Sequence, residues 1–126
     1  MQNNNSKLKT DLKTRAYLYA LQIIRLIDSL DKKDFSVEVL AKQLLRSATS
    51  IRANIIEAQA GSTKRDFTNF FSYALKSANE SKFWLGLLRD AKKIDKNAIN
   101  KLLQETTELS NILGSSILTL KGKRKF

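Results

Sequence analysis

Apolar residues recur along this chain at alternating four- and three-residue spacing, which keeps them on one face of a helix. The first run is Leu8, Leu12, Ala16, Tyr19, Ile23, Leu26 and Leu30. The second is Leu40, Leu44, Ser47, Ile51, Ile55 and Ala58, and the third is Phe67, Phe71, Ala74, Ala78, Leu85 and Leu88. A fourth run, Ile99, Leu102, Thr106, Leu109, Leu113, Ser116 and Leu120, completes a set of four helices.

The breaks between runs carry helix-end signals. Asp31-Lys32-Lys33-Asp34 interrupts the first pattern, after which Ser36 is expected to cap helix two while Phe35 staples onto Leu40. Gly61 is expected to end that helix in the left-handed conformation. Thr63 and Asp66 form a capping-box variant opening helix three, which runs to about Lys92. Asp95 caps helix four, with Ile94 and Ile99 as its staple pair, and Gly122 ends it. Short turns between long helices predict an all-α fold, an antiparallel up-down-up-down four-helix bundle. The whole chain, 1–126, reads as a single domain with basic flexible ends at about 1–9 and 121–126. Gly86 and Gly114 fall inside helices, each at a cost of about 1 kcal/mol relative to Ala. A close helix crossing at each is the expected compensation.

The two central helices each carry a second stripe, roughly 100° round from the first. On helix two it is Val39, Gln43, Arg46, Ser50, Ala53 and Glu57; on helix three, Tyr73, Ser77, Glu80, Trp84 and Leu87. Two seams per helix predict a core on one side and a partner on the other. Counting back from the turn at Gly61 puts Arg46 level with residues 77–80, so an Arg46–Glu80 ion pair is expected, specifying register or partner. Six of the ten aromatics lie between Phe67 and Trp84. Phe67, Phe70 and Phe71 belong with the core, whereas Tyr73, Phe83 and Trp84 project elsewhere. Base stacking is one use for them, but aromatics concentrate at interface centres, and an oligomer is the favoured reading.

Composition then narrows the chemistry. The chain has no histidine and no cysteine, which removes Ser-His and Cys-His catalysis, thiolate or imidazole metal sites and disulfides. No cofactor or metal site is expected, and no phosphate-binding glycine loop occurs. Glu57 and Glu80 are the only carboxylates on the second stripes, and nothing around them supports paired acid–base work, so no enzyme is expected. Asn54, Ser47 and Ser50 suit a close helix crossing better than a ligand site. With no apolar run long enough to span a bilayer and no apolar leader segment, a cytoplasmic protein without a membrane partner is expected.

The net charge of +11 is unevenly placed. Lys7, Lys9, Lys13 and Arg15 against Asp11 give the first fifteen residues +3, and Lys121, Lys123, Arg124 and Lys125 add +4. An up-down bundle brings both termini to one end, making a localised cationic surface suited to phosphate backbones.

Residues 43–67 (QLLRSATSIRANIIEAQAGSTKRDF) and 70–91 (FFSYALKSANESKFWLGLLRDA) resemble the four-helix-bundle proteins encoded in intervening sequences of bacterial large-subunit ribosomal RNA genes. The most specific part is the run Gln43 to Ser47 with Ser50-Ile51, Asn54-Ile55 and Glu57, joined later by Ala78, Glu80 and Trp84-Leu85. One departure is the lack of a glycine directly after Glu57-Ala58. The resemblance implies a ring-like homopentamer. Arg46, Ser50, Glu57, Tyr73, Glu80 and Trp84 then become subunit-interface candidates. A related branch, the accessory variability proteins of diversity-generating retroelements, is a basic pentamer that binds a reverse transcriptase and nucleic acid. Carried over, this makes the terminal lysines and arginines candidates for contact with RNA or DNA. It also raises an alternative role as a scaffold recruiting a nucleic-acid enzyme.

Overall fold

The computed structural model describes the backbone of residues 4–122 and the side chains of residues 12–122. Four helices account for nearly all of it: α1 (Asn4–Asp28), α2 (Phe35–Ala60), α3 (Lys64–Asp90) and α4 (Lys96–Leu120). No strand occurs among the described residues. α1 begins at Asn4. Contacts join α1 to α2, α2 to α3, α3 to α4 and α4 back to α1, and among the described residues no diagonal pair touches appreciably. The chain forms a four-helix bundle.

The caps show which side chains stop and start each helix. Thr63 accepts from the Asp66 N–H at 3.0 Å and Asp95 from the Ala98 N–H, both as expected. Helix two departs from expectation. Asp34, not Ser36, is the cap, accepting from the Val37 N–H at 3.3 Å, and Phe35 stands 78% exposed with no staple role. The physical reason lies across the turn, where the Lys93 ammonium donates to Asp34 at 2.7 Å. One carboxylate thus closes α2 and ties it to the end of α3, and the Lys93 hydrogen bond holds its pKa below the usual value.

Gly61 ends α2 but is extended (φ −68°, ψ 145°), not left-handed. Its lack of a side chain serves a tight turn instead. A Cβ there would stand 3.2 Å from the Asp66 Cβ and 3.3 Å from the Ala58 carbonyl. The left-handed position falls on Lys92 (φ 59°) after α3, where the Lys93 N–H bonds back to the Leu88 carbonyl. Gly122 does take the left-handed conformation after α4. At Gly86 and Gly114 a Cβ would meet nothing within 4 Å, so neither marks a close helix crossing.

The predicted inner seams of α1, α2 and α3 form the core: Tyr19, Ile23, Leu44, Ile51, Ile55 and Leu85 are all essentially fully buried. Val37 and Ala41 do the work expected of Leu40 at the start of α2, where Leu40 is only half-buried. In α4 the seam drifts, so that Ser110 and Ile117 are buried while Ser116 and Leu120 are half-buried. The helical period of 3.6 does not keep a strict seven-residue spacing on one face over seven turns.

A polar layer crosses the middle of this core with one hydroxyl from each helix. Thr106 of α4 donates to the Leu102 carbonyl, leaving Tyr19 of α1 to donate to Thr106 at 2.7 Å. Ser47 of α2 and Ser81 of α3 meet at 2.8 Å, and each hydroxyl also reaches a carbonyl of its own helix, Leu44 for Ser47 and Ser77 for Ser81. Burial pushes the Tyr19 phenol up to about 12, with its side-chain interactions with Thr106 and Ser81 opposing the shift. Every hydroxyl in the layer is satisfied, so it specifies which helices are neighbours without leaving an unpaired group.

Candidate assembly face and cationic end

The Ser47–Ser81 contact fixes where the second stripes point. Arg46 and Glu80 each precede one of these serines by a single residue, so each is turned roughly 100° away from the seam. Both side chains are exposed, and among the described residues no ion pair joins them. The expected Arg46–Glu80 pair is therefore not made within the chain. The register behind it was right to within a residue, but the hydroxyls one step on make the contact.

Both second stripes flank the α2–α3 seam and share one outer face. Val39, Arg46, Ala53 and Glu57 of α2 are exposed, and Ser50 is half-buried with its hydroxyl donating to the Arg46 carbonyl at 2.8 Å. On α3, Tyr73 is 54% exposed, Glu80 and Leu87 are exposed, and Trp84 is half-buried. The Trp84 indole Nε1 is buried without a hydrogen-bond partner, and Phe83 packs edge-on against the ring with centroids 4.9 Å apart. All six interface candidates thus sit together on one side of the α2–α3 hairpin, and none is fully buried by the chain's own fold. As a catalytic pair, Glu57 and Glu80 are poorly placed. Measured from the Ser47–Ser81 level, they lie about 13 Å apart along the axis.

Among the cations, Arg15 is engaged within the molecule. Its guanidinium forks onto Glu105 at 2.6 and 3.1 Å and reaches Glu108 at 3.2 Å, tying α1 to α4. The Glu105 hydrogen bond holds its pKa above the ordinary value. Lys13 is half-buried and Lys121 exposed, and neither makes an ion pair among the described residues. The side chains of Lys7 and Lys9, and residues Lys123, Arg124 and Lys125, lie outside the described residues. Two cations missed in the sequence, Lys64 and Arg65, are exposed in the first turn of α3 without an ion pair among the described residues. Counting charge by terminus hid them, because they lie mid-chain.

The distribution of ion pairs is lopsided. Lys42–Glu38, Arg89–Asp90 and Lys93–Asp34 all cluster where α2 begins and α3 ends, and Lys32 there donates to the last carbonyls of α1. None joins the cations beside the α2–α3 turn. An open groove runs along α3 past Ser72, Leu75, Lys76, Asn79 and Phe83. Among the described residues no cluster of carboxylates could hold a metal ion, and no helix is long and apolar enough to cross a membrane.

A four-helix bundle with one seam closed and a second left open on its central hairpin is the class these features define. The family profile of the 23S rRNA-intervening sequence protein matches residues 9–115, and the chain belongs to that family. It is similar to a solved structure of a protein of unknown function from the S23 ribosomal protein family of Bacteroides thetaiotaomicron. That likeness has 36% identity and a TM-score of 0.80, and covers 86% of this chain and 96% of the other. No curated protein matches the chain.

Proposed function

We propose that this protein is a non-enzymatic cytoplasmic homo-oligomer that binds RNA or DNA through backbone phosphates at one end of the bundle. The observation that carries the reading is the contrast between ends. Lys13, Lys64, Arg65 and Lys121 make no ion pair among the described residues, whereas three cations where α2 begins and α3 ends, Lys42, Arg89 and Lys93, are paired. Pair order along the helices supports an up-down-up-down arrangement that would gather those four at one end. Asp34 meets Lys93 while Ser47 meets Ser81, and Asn79 meets Ser110 while Arg89 meets Asn100. Assembly through the α2–α3 outer face, into the ring of five that the family resemblance implies, would multiply the field of one such end. Recognition is then electrostatic, with little readout of sequence.

The test is binding of single- and double-stranded oligonucleotides over a salt series. Affinity is expected to fall steeply with salt, and Lys64→Glu with Arg65→Glu to lower the log–log slope by about 2 and weaken binding across all sequences alike. Removing residues 121–126 is expected to act in the same direction. Salt-independent binding would refute the reading. A second reading, a scaffold that recruits a nucleic-acid enzyme, is favoured by Phe83, 56% exposed beside the α3 groove. It predicts that the charge reversals leave function intact while Phe83→Ala does not.

A further inference from the structure

The flank of α3 that meets α4 carries a groove that neither the assembly face nor the cationic end accounts for. Ser72, Leu75, Lys76, Asn79, Glu80 and Phe83 line it, around a mainly apolar space of about 500 Å³ open to solvent. Leu75 is half-buried, while Phe83 is 56% exposed and braced edge-on against Trp84. Asn79 accepts from the Ser110 hydroxyl at 3.4 Å, which leaves its amide N–H groups without a partner among the described residues. With Asn79 opposite Ser110, Gly114 of α4 comes level with Leu75, and a Cβ there would meet nothing within 4 Å. The groove therefore stays open on the α4 side. Apart from Glu80, which belongs to both, its residues centre roughly 110° round α3 from the second stripe, so covering that stripe leaves them accessible.

Charge on this flank is one-sided. Lys64, Arg65, Lys76 and Lys82 of α3 and Lys121 of α4 make no ion pair among the described residues. The carboxylates that could offset them are mostly engaged or turned away. On α4, Glu105 and Glu108 both bind Arg15 on the α1 side. On α3, Asp90 is held by Arg89, and Asp66 lies against the Gly61 turn on the α2 side. Glu80 is the one carboxylate lining the groove. By the Asn79–Ser110 register Lys121 is level with position 68. The cations therefore run from Arg65 past Lys121 to Lys76 and Lys82, about 25 Å along the axis at the helical rise per residue.

We propose that a single-stranded nucleic acid follows this row of cations and seats one unstacked base in the groove, its ring on Phe83 and its edge at Asn79. The inference rests on the phosphate-binding reading above, and names the form of the nucleic acid and the residues that hold a base. A cationic track beside an exposed aromatic is what a single strand needs, because phosphates follow the charge while a base stacks on the ring. The free Asn79 amide can donate to the acceptor groups that every base carries on its edges. Lys76, a neighbour of Asn79 on the helix surface, then meets the phosphate beside the seated base. A duplex keeps its bases stacked and paired, so it would meet the lysines alone. An apolar helix from a protein partner would match Leu75 and Phe83 but would leave Lys76, Lys82 and Asn79 without counterparts.

The test measures binding of the full chain, by fluorescence anisotropy, to a mixed-sequence strand of about 12 nucleotides, to an abasic strand of the same length and to the corresponding duplex. The wild type is expected to bind the intact strand at least about tenfold more tightly than the abasic one. Phe83→Leu keeps an apolar side chain but loses the ring. It is expected to weaken the intact strand about tenfold, with the salt slope and the binding of abasic strand and duplex unchanged. Phe83→Tyr is expected to keep the wild-type affinity, and circular dichroism confirms helical content for each variant. Lys76→Gln with Lys82→Gln is expected to lower the log–log salt slope by about 1.4 for intact and abasic strands alike. If the wild type binds intact and abasic strands equally, or Phe83→Leu leaves the intact strand unaffected or weakens both strands alike, the base site is overturned while the phosphate-binding reading stands. Failure to bind any of the three overturns both.

Discussion

Ser47 and Ser81 lie one residue along the chain from Arg46 and Glu80, yet the two pairs inhabit opposite environments. The serines are buried, meet at 2.8 Å and connect to a hydroxyl layer drawn from all four helices. The arginine and glutamate are exposed and unpaired among the described residues. A step of one residue turns a helix by about 100°, enough to move a side chain from a sealed seam to an open one. The inner seam completes its polar bonds within the chain. The outer seam carries Arg46, Glu57 and Glu80, which make no ion pair among the described residues.

The largest expected effect separates the seams by stability. Leu44→Ala, at a position with no solvent exposure, is expected to cost about 2–5 kcal/mol of folding free energy in a denaturant titration. Leu87→Ala, 37% exposed on the outer stripe, is expected to cost under about 1 kcal/mol in the monomer and to act instead on association. Equal costs at the two positions would erase the distinction.

High pH probes the inner layer by itself. Tyr19 titrates near 10 when unfolded and is pushed up to about 12 by burial in the bundle. Because its folded pKa is the higher, its contribution is fully present below pH 10 and is lost as pH rises from 10 towards 12. The unfolded chain binds fewer protons in that window, so stability should fall by about 2–3 kcal/mol across it. Comparing wild type with Tyr19→Phe at each pH isolates the effect, since the lost hydrogen bond to Thr106 adds an offset that is constant below pH 10 while the titration adds a slope above it. Parallel stability curves would show that Tyr19 is not sealed.

How much of this could be read beforehand follows the same division. Three of the four inner seams were legible because burial depends on spacing, which the sequence carries directly. The shift of α4 from Ser116 to Ile117 was not, since it accumulates from the mismatch between 3.6 and 3.5 residues per turn. Caps were legible where one candidate stood alone, as at Thr63 and Asp95. They were not legible where Asp34 competed with Ser36, because Lys93, 59 residues away, decided between them. Gly61 was recognised as a helix stop, but its reason is the closeness of Asp66 and not its backbone angle. The outer face was visible as a surplus stripe.

Smaller effects test the helix ends and interiors. Lys92 holds a left-handed conformation that costs an L-residue about 1 kcal/mol or more, so Lys92→Gly should raise stability by about 1 kcal/mol. Gly86→Ala and Gly114→Ala should each add up to about 1 kcal/mol, because a methyl group meets open space at both. These gains should appear in thermal melts. If an alanine at either glycine instead disrupts assembly without lowering helix content, that position belongs to a contact between copies, and the outer surface reaches further round α3 or α4 than the second stripe.

The smallest expected effect on folding discriminates most between the seams. Arg46→Ala and Glu80→Ala, singly and together, should change the stability of the dilute monomer by no more than about 0.5 kcal/mol, with coupling near zero, because the side chains do not meet within one chain. The same cycle read on native mass against concentration should show each change weakening assembly if the outer face is covered by another copy. Coupling in the association but not in the folding would mean the two groups meet across chains. Coupling in the folding would mean the exposed geometry of Arg46 and Glu80 is not the one that persists in solution, and the two seams would no longer be separable.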